Sequence, residues 1–128
     1  MGRRWWCALA LLALWSGTAS AQGPALDRLM RRKLACSQKI LEAVVTSRWA
    51  DLDARSRELE AMTNEPGWAM LKTPEYARQS ESFRAAVRTL RDAAAKRDLD
   101  ATTKAYAAMT ASCVECHRYL SRSRLAGK

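Results

Sequence analysis

Histidine is almost absent from this chain: His117 is the only one in 128 residues. Any site that needs two histidines is thereby excluded. One phenylalanine, three prolines and five glycines are too few for a loop-rich or many-stranded architecture. Carboxylates are also short, 13 against 22 lysines and arginines, which gives a formal net charge of +9. Such an excess suits an acidic partner or surface, or serves solubility alone. The basic residues form no block and accompany no recognition motif, so nucleic acid is not an expected partner. The one long apolar run, Trp5 to Trp15, is too short to span a bilayer.

That run follows Arg3 and Arg4 and precedes Ala19-Ser20-Ala21. A positive start, an apolar stretch and a small-residue site make a secretory signal. Residues 1–21 are therefore expected to be a cleavable signal peptide, with an uncleaved anchor as the alternative. Residues 22–128 are expected to form one domain.

Residues 22–128 predict an all-α chain. The first helix is expected from about Ala25 to Thr46, with Leu26, Met30, Leu34, Leu41, Val44 and Val45 as its apolar face. A break is expected at Ser47 to Ala50, although no glycine or proline marks it. A second helix from about Asp51 to Thr63 buries Leu52, Leu59 and Met62. Asn64-Glu65-Pro66-Gly67 ends it by turn chemistry. In the following connector, Trp68 is expected to fold back over the core. Thr73-Pro74-Glu75 is a cap, a first-turn proline and an acid, opening a third helix to about Lys96. Tyr76, Phe83, Val87 and Leu90 line it. Asp98 can cap a fourth helix, Leu99 to about Leu120, with Leu99, Tyr106, Met109, Cys113, His117 and Leu120 in line. Four helices with short connections predict an antiparallel up-down-up-down four-helix bundle.

The last helix carries Cys113-Val114-Glu115-Cys116-His117. C-x-x-C-H is the attachment signature of c-type haem. Two cysteine sulfurs add across two porphyrin vinyl groups, and the histidine ligates the iron. On a helix, Cys113, Cys116 and His117 point the same way. A redox dithiol usually opens a helix after a strand, and no strand is expected here. A structural zinc site needs four ligands, and only Cys36 remains beside the motif's three. The expected cofactor is one covalent haem c, with Cys113 and Cys116 as thioethers and His117 as proximal iron ligand. An export signal beside this motif suits a bacterial periplasm.

With no second histidine, the sixth iron position falls to a methionine or stays open. Met109 shares the helix of His117 and cannot reach across; Met62 and Met70 lie at or beyond the end of the second helix. Met30, early in the first helix, would lie beside the end of the fourth in an antiparallel bundle. It is the expected distal ligand; a gap-filling core methionine is the alternative. Cys36 reads as a buried free thiol or an intermolecular disulfide partner. Arg118, Arg122, Arg124 and Lys128 suit the negative helix end, and could also hold haem propionates or meet an acidic partner.

A four-helix pattern with Cys113, Cys116 and His117 in its last helix resembles the class II cytochromes c, the cytochrome c prime group. The resemblance implies a periplasmic haem protein, often dimeric through its first two helices. Low-spin members take a methionine from the first helix and transfer electrons, the pattern Met30 matches. High-spin members keep an apolar residue there and bind nitric oxide or carbon monoxide. The expected function is single-electron transfer with His117 and Met30 as axial ligands; the alternative is five-coordinate gas binding. A redox partner protein with an acidic docking face follows, membrane contact being transient at most. No acid–base pair or nucleophile accompanies the motif, so the chain is not expected to be an enzyme.

Overall fold

A computed structural model describes residues 22–69 and 71–126, with side chains at 24–69 and 71–123. It contains four α-helices: α1 Gln22–Val45, α2 Trp49–Met62, α3 Pro74–Ala95 and α4 Leu99–Ala126. No strand occurs among the described residues, so the chain is all-α and consistent with a four-helix bundle. The expected signal segment, residues 1–21, lies outside the described residues, as does Met70. Among the described residues, no helix is long and apolar enough to cross a membrane.

The helix ends follow from local chemistry. At the start of α3, the Thr73 Oγ1 accepts a hydrogen bond from the Tyr76 N–H at 3.1 Å, and Pro74 occupies the first turn. Such a cap satisfies one of the donors a helix N-terminus leaves unpaired. At the start of α4, Asp98 Oδ1 accepts from the Ala101 N–H at 2.9 Å. The ends of α1 and α3 share a less expected device. Ser47 and Arg97 both take φ 53°. The Arg48 N–H reaches back to the Ala43 carbonyl, and the Ser47 N–H to that of Val44. Likewise the Asp98 N–H reaches Ala93, and the Arg97 N–H reaches Ala94. Both are Schellman closures with a non-glycine residue in the left-handed position. They turn the chain within three residues, which brings α1 against α2 and α3 against α4.

Every helix sends side chains at alternating three- and four-residue spacing into one core. Leu52, Ser56, Leu59 and Met62 come from α2, and Phe83, Val87 and Leu90 from α3. Thr102, Ala105 and Met109 come from α4. Arg84 ties α2 to α3, donating from Nε to Thr63 Oγ1 and from Nη2 to the Thr63 carbonyl. Trp68 is 5% exposed and does fold back: its Nε1 donates to Ser80 Oγ at 3.2 Å, and its ring meets Phe83 at 5.3 Å between centroids.

The buried face of α1 differs from the expected one. It consists of Leu29, Lys33, Cys36, Ile40, Ala43 and Val44. Leu34, Leu41 and Val45 are instead 61%, 44% and 74% exposed. Two stripes run along α1. The one with more large apolar residues faces away, because the shorter Cys36 and Ala43 allow α1 to approach α2. Leu99, expected in the stripe of α4, is also exposed; it lies in the first turn, just past the closure.

An L-residue in the left-handed region is disfavoured by about 1–2 kcal/mol, while glycine is not. Ser47→Gly and Arg97→Gly should each raise stability by about 0.5–1 kcal/mol. Denaturant unfolding followed by circular dichroism checks this; a loss of stability in both variants would contradict the assignment.

Candidate functional site

The motif sits inside α4, which runs unbroken through it. Cys113 and Cys116 are half-buried free thiols, and His117 is exposed. Among neighbouring helix pairs, α1 and α4 meet over the shortest stretch. A cleft separates them at the end where α1 begins and α4 nears its end. It has two adjoining lobes, of about 360 Å³ and about 710 Å³. Cofactor sites commonly span about 300–1,000 Å³.

The way the lobes share their walls defines the site. Met30 from α1 and His117 from α4 line both lobes. Cys116 lines the inner lobe with Trp68, Tyr76 and Phe83; Cys113 lines the outer lobe with Leu34 and Val114. The histidine thus stands where the lobes meet, with one cysteine opening onto each. Leu34 and Val114, 61% and 51% exposed, give the outer lobe apolar walls.

Small polar residues share the inner lobe with its aromatic walls: Ser80 and Ser112 are buried there beside Trp68, Tyr76 and Phe83. Two bonds hold the connector over it. The Tyr76 hydroxyl donates to the Trp68 carbonyl, and the Trp68 indole to Ser80. A third contact, Thr73 Oγ1 to the Tyr119 hydroxyl at 2.9 Å, ties the start of α3 to α4 two residues beyond His117.

The structure thus brings Met30, Cys113, Cys116 and His117 to one cleft and, among the described residues, separates Met62, Met109 and Cys36 from it. Met62 and Met109 are fully buried core residues. Cys36 is 3% exposed and donates to the Arg55 carbonyl at 3.1 Å. Burial pushes its thiol up to about 11. Burial also raises Cys116, with Lys33 opposing the shift. Arg118 is exposed at the outer lobe. The side chains of Arg124 and Lys128 lie outside the described residues.

No family model matches the chain, nor does any curated protein or solved structure. The site therefore stands on its own residues.

One residue of the cleft escapes the sequence reading. Lys33 is 8% exposed and lines both lobes. Its Nζ lies 3.8 Å from the Phe83 ring centroid and 4.6 Å from that of Trp68. Among the described residues no carboxylate acts on its charge. Burial lowers its pKa below the usual lysine range, partly offset by the nearby Cys113 and Cys116 sulfurs. The aromatic faces return part of the desolvation cost. The available signal was spacing: Leu29, Lys33, Cys36, Ile40 and Ala43 repeat at intervals of four and three, and the lysine occupies a core position of that series.

Two outcomes follow for the haem-free chain. Lys33→Leu should stabilise it by about 1–2 kcal/mol at neutral pH, since a largely buried ammonium without a carboxylate partner is removed. The wild-type folded state releases this proton more readily than the unfolded state, so its stability gains as pH rises toward about 10.4. The advantage of the variant should therefore shrink over that range; an advantage independent of pH would contradict a charged Lys33. In alkylation near pH 8, Cys36 should react only after unfolding, about a thousandth of it being thiolate. Peptide mapping should find Cys113 and Cys116 modified first.

Proposed function

We propose that this chain is a periplasmic c-type cytochrome of the class II kind, exported by a signal peptide at residues 1–21, that carries single electrons. One observation carries the reading: Met30 and His117 line both lobes of one cleft, with a motif cysteine opening onto each lobe. These residues fit a covalent haem c. The donor set is two thiols and an imidazole in the attachment pattern, facing a thioether from another helix. The volume, the apolar outer walls and the small Ser80 and Ser112 supply room for a large planar group.

Cys113 and Cys116 would hold the haem as thioethers, and His117 and Met30 would be its axial ligands. When bound, haem c supplies a one-electron ferric–ferrous couple. A thioether opposite the histidine closes the site to small gases and raises the reduction potential. Trp68, Tyr76 and Phe83 would exclude water from the inner side. The basic Arg118 and Arg31, with exposed Val114 between the lobes and solvent, would present a face suited to an acidic redox partner.

The antiparallel up-down-up-down arrangement belongs to the same proposal. Tyr106 of α4 donates to the Ser37 carbonyl of α1 at 3.2 Å, while Met30 shares its cleft with His117. Contacts that advance along α1 as they retreat along α4 support opposed helix directions.

The visible and near-infrared spectra of the exported protein test the assignment. The account requires a low-spin spectrum that carbon monoxide leaves unchanged on reduction, and a ferric thioether-to-iron band lost in Met30→Leu, with a lowered reduction potential. A high-spin spectrum that shifts with carbon monoxide would contradict it, and would favour the five-coordinate gas-binding reading.

A further inference from the structure

The cleft holds two donors from α1, not one. Met30 and Lys33 are three residues apart and therefore neighbours on the helix surface. Both line the two lobes that His117 lines from α4. The head of the lysine, and not only its stem, is inside: the Nζ rests on the Phe83 and Trp68 rings. Lysine usually snorkels its ammonium to water when it can. Here the side chain is 8% exposed, and the groups that act on its charge are the Cys113 and Cys116 sulfurs, with no carboxylate among them. An amine held in an aromatic cleft beside two attachment thiols asks for a role.

We infer that Lys33 is a second axial donor for the iron: when Met30 is removed or displaced, the Lys33 amine takes the position opposite His117. The inference rests on the haem assignment above. The exchange balances without any co-reactant. The iron–sulfur bond breaks, the Lys33 ammonium gives its proton to solvent, and its nitrogen lone pair forms the iron–nitrogen bond. The desolvation that already disfavours the ammonium lowers the cost of that proton's release. Met30 is half-buried and packs at the edge of the core, beside the lysine in the same cleft. The consequence is functional: loss of the methionine would leave a closed, lower-potential haem rather than an open gas site.

The test uses the matured ferric haem protein, with azide as the probe. Met30→Leu is compared with Met30→Leu/Lys33→Leu and Met30→Leu/Lys33→Arg. The arginine variant keeps a cation at the aromatic rings but offers no amine that can be deprotonated. Met30→Leu should lose the thioether band yet remain low-spin. Both double variants should become high-spin and bind azide at least about tenfold more tightly. A high-spin Met30→Leu protein that binds azide as well as the double variants would overturn the inference. So would a low-spin spectrum persisting in both double variants, since another donor would then be responsible. Wild-type protein lacking covalent haem, or lacking the thioether band, would instead overturn the reading beneath it.

Discussion

Four helices with short connections pack closely wherever their facing residues are large, and α1 and α4 do not do so at one end. Phe83, Ile40, Leu52, Leu59, Leu90 and Met109 fill the core. Beside Met30 and His117, the lining combines Ser80, Ser112 and Lys33 with the rings of Trp68, Tyr76 and Phe83. The two-lobed cleft opens to solvent and carries apolar side chains such as Leu34 and Val114 on its walls. The other features of the site depend on that gap. The connector carrying Trp68 closes one side of it, the motif helix forms another, and α1 supplies the wall opposite the histidine. A covalent planar group would recover the apolar contact that the serines give up, and would join α1 to α4 where their own side chains hardly meet.

The motif gains meaning from its place on a continuous helix. Within α4 the two cysteines are one turn apart and open onto separate lobes, with the histidine at the junction. A thiol pair of this spacing could serve redox exchange, but burial raises Cys116, whereas exchange needs an accessible thiolate. Lys33 partly offsets that shift without reversing it. The third thiol, Cys36, is held deeper by the Arg55 carbonyl and is less ionisable still.

Much of this organisation is legible in the residues. Thr73-Pro74 and Asp98 are strong start signals because a side-chain oxygen at a helix N-terminus has a defined partner. Asn64 to Gly67 ends α2 for equally local reasons. The ends of α1 and α3 carry no glycine, since Ser47 and Arg97 occupy the left-handed conformation, yet the expected ends near Thr46 and Lys96 lie one residue from the observed Val45 and Ala95. The rotation of α1 was not legible. Its larger residues Leu34, Leu41 and Val45 outweigh Cys36 and Ala43 in any hydrophobic count, yet tertiary packing buries the smaller set. Lys33 was missed for the same reason: a charged residue in a core series is discounted, and only the positions of Trp68 and Phe83 reveal why it is tolerated. Helix direction singles out Met30 in the sequence, and the structure lines one cleft with Met30 and His117.

The central claim is that the cleft between α1 and α4 is built for a haem anchored by Cys113 and Cys116. Mass spectrometry of the protein exported by a host that matures c-type cytochromes tests it most directly. The account requires a peptide spanning residues 113–117 that carries one porphyrin through two thioether bonds, with neither thiol open to alkylation. A peptide with both thiols free, or joined to each other as a disulfide, would contradict it.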